Sequence, residues 1–303
     1  MFAPPAIIQT EVFARLPDRL HGSRPSAWIA ARQHGKLGSF LEGPAFDRAG
    51  NLYCTDIPYG RVFRVSPQGE FELVAEYDGE PNGLKIHKDG RIFIADHKKG
   101  LLLLDPQRGS VTPVLENANG VPFRGLNDMI FADNGDLYFT DQGNSGLHDP
   151  YGSVYRLRAD GRLDCVLRNL ASPNGIALDR EERNLFVNLT RANAVWRVPL
   201  LPSGEATRVG LFLQLSGATG GPDGLAVDDN GGLAVSHAGF GSVWLFDKFG
   251  EPLYRVKSCA GPSTTNIAFG GPDRRTLYIT ESSSGQILTA KVPVAGSVLY
   301  AHR

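Results

Sequence analysis

Six polar side chains recur at one matched position along this 303-residue chain: Glu42, Asn82, Asn127, Asn174, Asp223 and Asn266. All six offer carboxylate or amide oxygens. Oxygen donors without sulfur or imidazole suit a hard cation such as Ca2+, with waters completing six or more positions. Two carboxylates, Glu42 and Asp223, would balance the charge of one divalent ion. Asn and Asp also serve turn geometry in Pro-Asn-Gly and Pro-Asp-Gly triplets, and taken singly Asn82, Asn174 and Asp223 fit that explanation. Glu42 is a poor turn residue, and Asn127 and Asn266 lie outside such triplets, so turns do not account for the set. A second polar group follows fourteen residues after five of the six, at Asp56, Asp96, Asp141, Asn188 and His237; Glu281 follows Asn266 by fifteen.

These positions match because the chain repeats itself. Six segments share one plan, beginning near Glu42, Pro81, Leu126, Pro173, Pro222 and Thr264. In the fifth, GLAV, GLAVSH, GSVWLFD and EPLYRV are short apolar or alternating runs separated by Gly, Asp and Asn turns. Four such runs read as four antiparallel strands, a unit too small to fold alone. Repeats of roughly forty to fifty residues match propeller blades, and no G-H…W-D signature marks a WD40 array. The expected fold is therefore all-β, a single six-bladed β-propeller domain over residues 1–303. The sixth repeat runs out after three strands, and IIQTEVFARL (residues 7–16) resembles a missing fourth. That N-terminal strand is expected to complete the last blade and close the ring, which removes an exposed sheet edge. Residues 17–40 are expected to cover part of one face. The first strand of a blade is innermost and the second returns antiparallel, so both sets of polar residues should lie at one end of the central channel.

Composition narrows the function classes. With 31 basic and 32 acidic residues, the formal net charge is −1 and no long run of one sign exists. Nothing in that balance attracts nucleic acid or an anionic membrane surface. Gly 36 and Pro 20 suit many short strands and tight turns. The three cysteines, Cys54, Cys165 and Cys259, are widely spaced and form no metal or disulfide framework. Cys54 and Cys165 fall in apolar strand patterns and are expected to be buried thiols. No stretch is apolar enough for a membrane helix, and MFAPPAIIQTEVFARL lacks a basic region before a continuous apolar run. The expected location is the cytoplasm.

LEGPAF, GLNDMIF, SPNGIAL and GPDGLAV occur in this order, one per blade with the second skipped. As an ordered set they resemble the metal-ligand motifs of the gluconolactonase/SMP-30 family, which includes phosphotriesterase relatives, from about residue 38 to the C-terminus. The resemblance implies Glu42, Asn127, Asn174 and Asp223 as ligands of one divalent metal, Ca2+ preferred, with Zn2+, Mn2+ or Mg2+ as alternatives. It also implies Asp223 as the catalytic acid/base or nucleophile and a small-molecule lactone as substrate; it sets no oligomeric state. Arg124, in FRGLND, occupies the neighbourhood where relatives carry a sugar-contacting arginine. His237, in VSHAGFG, is placed to meet substrate and relay a proton, or to be a hydrogen-bonded histidine at a strand end. His97 reads more simply as structural, and Lys98 and Lys99 as solvated turn residues. The implied reaction is metal-assisted attack of water on a lactone carbonyl. A phosphotriester or other ester hydrolase, or a non-enzymatic binding scaffold, are the alternatives; the scaffold has no need of the Glu/Asn/Asn/Asp set.

Overall fold

The computed structural model describes residues 4–32 and 35–303. The chain forms a six-bladed β-propeller. The innermost strands are Leu41–Phe46, Pro81–Ile86, Leu126–Phe131, Pro173–Leu178, Gly221–Val227 and Thr264–Gly270. Each leads an antiparallel meander, as in blade 1, where Leu41–Phe46, Leu52–Asp56, Arg61–Val65 and Phe71–Glu76 follow one another outward. Neither face of such a sheet can be left in water, because apolar residues occupy both. Apolar clusters accordingly fill the gaps between neighbouring blades, for example Tyr53, Val62, Leu84 and Ile94 between blades 1 and 2. Cys54, Phe63 and Ile287 pack between blades 6 and 1, so the packing runs round the ring.

Closure of the ring differs in detail from the single strand expected at residues 7–16. Two strands are present, β1 (Ala6–Gln9) and β2 (Glu11–Arg15). β2 pairs antiparallel with Gln286–Lys291 and is the fourth strand of blade 6. β1 pairs parallel with Pro252–Lys257 and adds a fifth strand to blade 5. The break falls at buried Thr10, whose N–H donates to Lys257 O (3.1 Å) and whose Oγ1 accepts from Cys259 N (2.9 Å). One short N-terminal segment thus ties two blades together.

The segment after β2 packs on blade 1 near its ring residue. The Tyr59 hydroxyl, in the turn after the second strand of blade 1, bonds Gly22 O at 3.1 Å and Leu37 O at 2.5 Å. A short helix, α1 (Ala27–Ala31), is capped by Ser26 and buries Trp28. At the opposite end the C-terminal residues fold back, with Tyr300 buried against His87 and Phe131. Cys54 is buried, whereas Cys165 is only half-buried because it lies on the outermost strand of blade 3, Leu163–Leu170. Among the described residues no helix is long and apolar enough to cross a membrane.

Candidate active site

The six ring residues sit at the start of the innermost strands, where neighbouring blades nearly touch. A Cβ on Gly43 would lie 2.5 Å from Asn82 O, and one on Gly83 would lie 2.5 Å from Asn127 O. Gly175 meets Asp223 and Gly224 meets Asn266 in the same way. The glycine following the ring residue is therefore what lets adjacent blades bring these side chains together. Glu42, Asn127, Asn174 and Asn266 are buried; Asp223 is packed among protein groups and keeps a partly exposed face.

Electrostatics set two of the ring residues apart. Burial pushes the Glu42 carboxyl up to about 7, against the N–H of Gly43 and the side chains of Thr265 and Asn266, which favour its ionised form. Asp223 is raised well above the carboxylate range, first by burial and then by the charges of Glu42 and Asp128, with Asn174 and Arg191 opposing. Two buried carboxylates thus repel each other with no cation paired to either among the described residues, an arrangement a bound cation would relieve. The amide groups add to this. Asn127 Nδ2 donates to Gln142 Oε1 (2.9 Å), and Gln142 Nε2 in turn donates to Ser172 Oγ (2.9 Å). Asn174 Nδ2 donates to Thr190 Oγ1 (3.1 Å), and Asn174 Oδ1 is buried without a partner. With the nitrogen ends engaged, the amide oxygens are the free donors. Among the described residues no three His, Cys, Asp or Glu side chains form a metal-holding group, so a cation site here is one of two carboxylates and two amides. That all-oxygen set, with an orphaned oxygen and an uncompensated charge pair, fits a hard divalent cation.

Asp128 is the residue that motif reasoning passed over. It is buried, takes the place of the glycine found in four other blades, and its charge acts on both Glu42 and Asp223. Lys85 Nζ stands 3.3 Å from its Oδ1, and Asn266 Nδ2 lies 3.4 Å from its Oδ2. The signal was present as Asn-Asp where four of the other five repeats read Asn-Gly, Asp-Gly or Glu-Gly.

The second set of polar residues does reach the same end, but to hold the loops. Asp56 accepts from Phe40 N (2.7 Å), Asp96 from Glu80 N (2.9 Å), Asp141 from Gly125 N (2.8 Å) and Glu281 from Ser263 N (2.9 Å). Each carboxylate clamps the chain just before its own blade's ring residue. Asn188 does not belong with them: Leu41 pairs with Asp56, whereas the equivalent Pro173 pairs with Leu189. The hairpin of blade 4 is one residue longer, since Asp179 caps Asn184 where Asp47 caps Asn51. Asn188 therefore matches Thr55, and both reach the next blade's ring backbone, Asp223 O at 2.6 Å and Asn82 O at 2.6 Å.

His237 is fully buried, stacked on Phe240, and its Nδ1 accepts from Trp244 Nε1 (3.1 Å). The proton of the neutral ring is then on Nε2, which has no partner. Burial, with Arg255 adding to it, lowers its pKa to about 4. A second proton on Nδ1 would face the indole N–H, so His237 is a fixed donor rather than a proton relay. Arg124 is exposed, its N–H held by Asp141 and its guanidinium over Tyr151 at 5.7 Å. His97 lies against Gly125, its pKa lowered to about 4 by burial and then by Arg32. A cavity of about 610 Å³ is at the other mouth, lined by residues such as Phe46, Ile130 and Leu225 from the far ends of the inner strands. The titratable groups converge at the carboxylate end instead.

Residues 40–283 match the family described as the SMP-30/gluconolactonase/LRE-like region. The chain is 31% identical over 272 residues to a gluconolactonase of Zymomonas mobilis, covering 80% of this chain and 76% of that protein. It is 32% identical over 239 residues to lactonase drp35 of Staphylococcus aureus, covering 73% and 70%. Among solved structures it is similar to a putative gluconolactonase, with a TM-score of 0.75 and 27% identity over 87% of this chain and 92% of that one. It shares its fold with a calcium-binding regucalcin of Agrobacterium tumefaciens, at a TM-score of 0.79, 22% identity, and 99% and 100% coverage.

Proposed function

This chain belongs to the SMP-30/gluconolactonase/LRE-like family, and from that premise we propose that it is a metal-dependent lactonase opening a sugar lactone to its hydroxy acid. The observation that carries the reading is the close pair of carboxylates Glu42 and Asp223, neither in an ion pair among the described residues, with the orphaned oxygen of Asn174 beside them. Glu42, Asn127, Asn174 and Asp223 would hold the ion, Ca2+ by preference for an all-oxygen set. Bound there, a divalent cation supplies Lewis-acid polarisation of the carbonyl.

The chain's own groups do the rest. Asp223 alone of the four keeps a partly exposed face, so it is the carboxylate that meets substrate or water. It accepts the proton of the attacking water, or attacks the carbonyl itself; trapping an acyl-enzyme on Asp223 separates the two routes. His237 presents Nε2–H as a hydrogen-bond donor from a ring held by Trp244 and Phe240. Arg124, unpaired at the mouth, contacts substrate hydroxyl groups. The test is a panel of aldonolactones and a phosphotriester with and without chelator. Lactone hydrolysis lost with chelator and restored by Ca2+, Mn2+, Zn2+ or Mg2+ is the expected result. Chelator-insensitive turnover, or turnover of the phosphotriester alone, would replace this reading.

A further inference from the structure

Three arginines from separate segments lie beside groups that are tied to the ring positions. Arg191 follows Thr190, whose Oγ1 accepts from Asn174 Nδ2 and donates to Pro222 O (2.8 Å). Arg124 stands three residues before Asn127, with its N–H on Asp141. Arg32, at the end of α1, stacks on Trp28 at 4.4 Å, and Trp28 packs on Phe40 (4.8 Å), two residues before Glu42. Each is thus fastened within a few residues of a different ring position, in blades 4, 3 and 1.

Among the described residues none of the three is in an ion pair, and the charge of Arg191 acts on Asp223 from a distance. Glu80, the carboxylate whose charge acts on Arg32, is engaged by Lys98 at 3.4 Å. Arg32 is half-buried, and burial opposes its charge, so the stack on Trp28 holds a guanidinium in place without neutralising it. The held guanidinium of Arg32, with the exposed side chains of Arg124 and Arg191, is suited to a carboxylate or phosphate, which a guanidinium can grip through two parallel hydrogen bonds. A neutral polyol needs no such arc.

We propose that the mouth selects lactones carrying a second, acidic group, a carboxylate or a phosphate, bound by Arg191, Arg32 and Arg124. The inference rests on the lactonase reading for its reaction, and its ligand preference is measurable without turnover. The experiment compares kcat/KM for glucono-1,5-lactone, a glucaric acid lactone and 6-phosphogluconolactone, at low and physiological salt. The wild type is expected to favour one acidic lactone over the neutral one by about tenfold or more, the scale of one charge-assisted contact. That ratio should fall about tenfold in Arg191→Met and in Arg32→Met, and the carboxylate and phosphate arms identify which acid is taken. A wild type that favours the neutral lactone, or a ratio unchanged in both variants, overturns the proposal. If no lactone is hydrolysed, the lactonase reading fails alone, and calorimetry with glucarate, 6-phosphogluconate and gluconate decides this one. Equal or undetectable binding of all three overturns it.

Discussion

Asp223 departs from the amide of its ring equivalents in blades 2, 3, 4 and 6, and turn geometry would accept Asn there equally well. Asp223→Asn keeps an oxygen that can coordinate but cannot accept a proton at neutral pH or act as a nucleophile. The expected outcome is loss of lactone turnover by about a hundredfold or more, not restored by saturating metal. Glu42→Ala, which removes a buried oxygen donor outright, should instead abolish retention of metal after dialysis, read by elemental analysis. Recovery of turnover by metal in Asp223→Asn would make Asp223 a ligand only. His237 gives a pH prediction. Its pKa is about 4 when folded against 6.5 when exposed, so the unfolded chain binds more protons between those values. Stability from the neutral ring is complete above pH 6.5 and is lost as pH falls towards 4. Denaturant unfolding at pH 7 and pH 5 should show His237→Gln losing about 2 kcal/mol less than the wild type. An equal loss in both would mean the ring is not held neutral.

At the scale of elements, the repeats explain both what was readable and one error of register. The first strands carry their ring residue at a constant place, and in four blades the glycine behind it is required by the neighbouring blade. Counting onward into the second strand worked wherever hairpins had equal length and failed at Asn188, where one added residue turns a strand's side chains over. The N-terminal segment is the other element with a measurable role. β2 supplies Ala14 to the core and Leu16 follows it there, while β1 covers the edge of blade 5. Deleting residues 1–16 should lower the melting temperature by about 10 °C or more, since it removes two packed strands and uncovers two edges. An unchanged melting temperature with a monomeric protein would refute this closure.

For the whole molecule, the two mouths of the channel are built from different material. One gathers carboxylates, amides and loop clamps; the other is walled by apolar side chains and roofed by the C-terminal residues. Tyr300 buries its ring there, and Arg303 is ion-paired with Asp133. Removing residues 298–303 should cost about 3 kcal/mol through the lost aromatic burial while leaving metal affinity at the opposite end within about twofold. Calorimetric metal titration of the truncated chain checks this, and a large loss of affinity would show that the ends are coupled.

Local rules operate along the chain, and they were sufficient for the blades, the ring residues and the end at which chemistry lies. Alternating apolar runs, turn residues and the spacing between repeats are all sequence-local, so six blades and their six ring positions could be read directly, while the choice of Glu42, Asn127, Asn174 and Asp223 among them came from the family resemblance. Contacts between distant segments cannot be read this way. Lys85 beside Asp128, Trp244 fixing the tautomer of His237 and Thr10 dividing the N-terminal strand depend on where the fold brings separate segments. Burial and neighbouring charge, which decide how each of these groups behaves, exist only once that ring has closed.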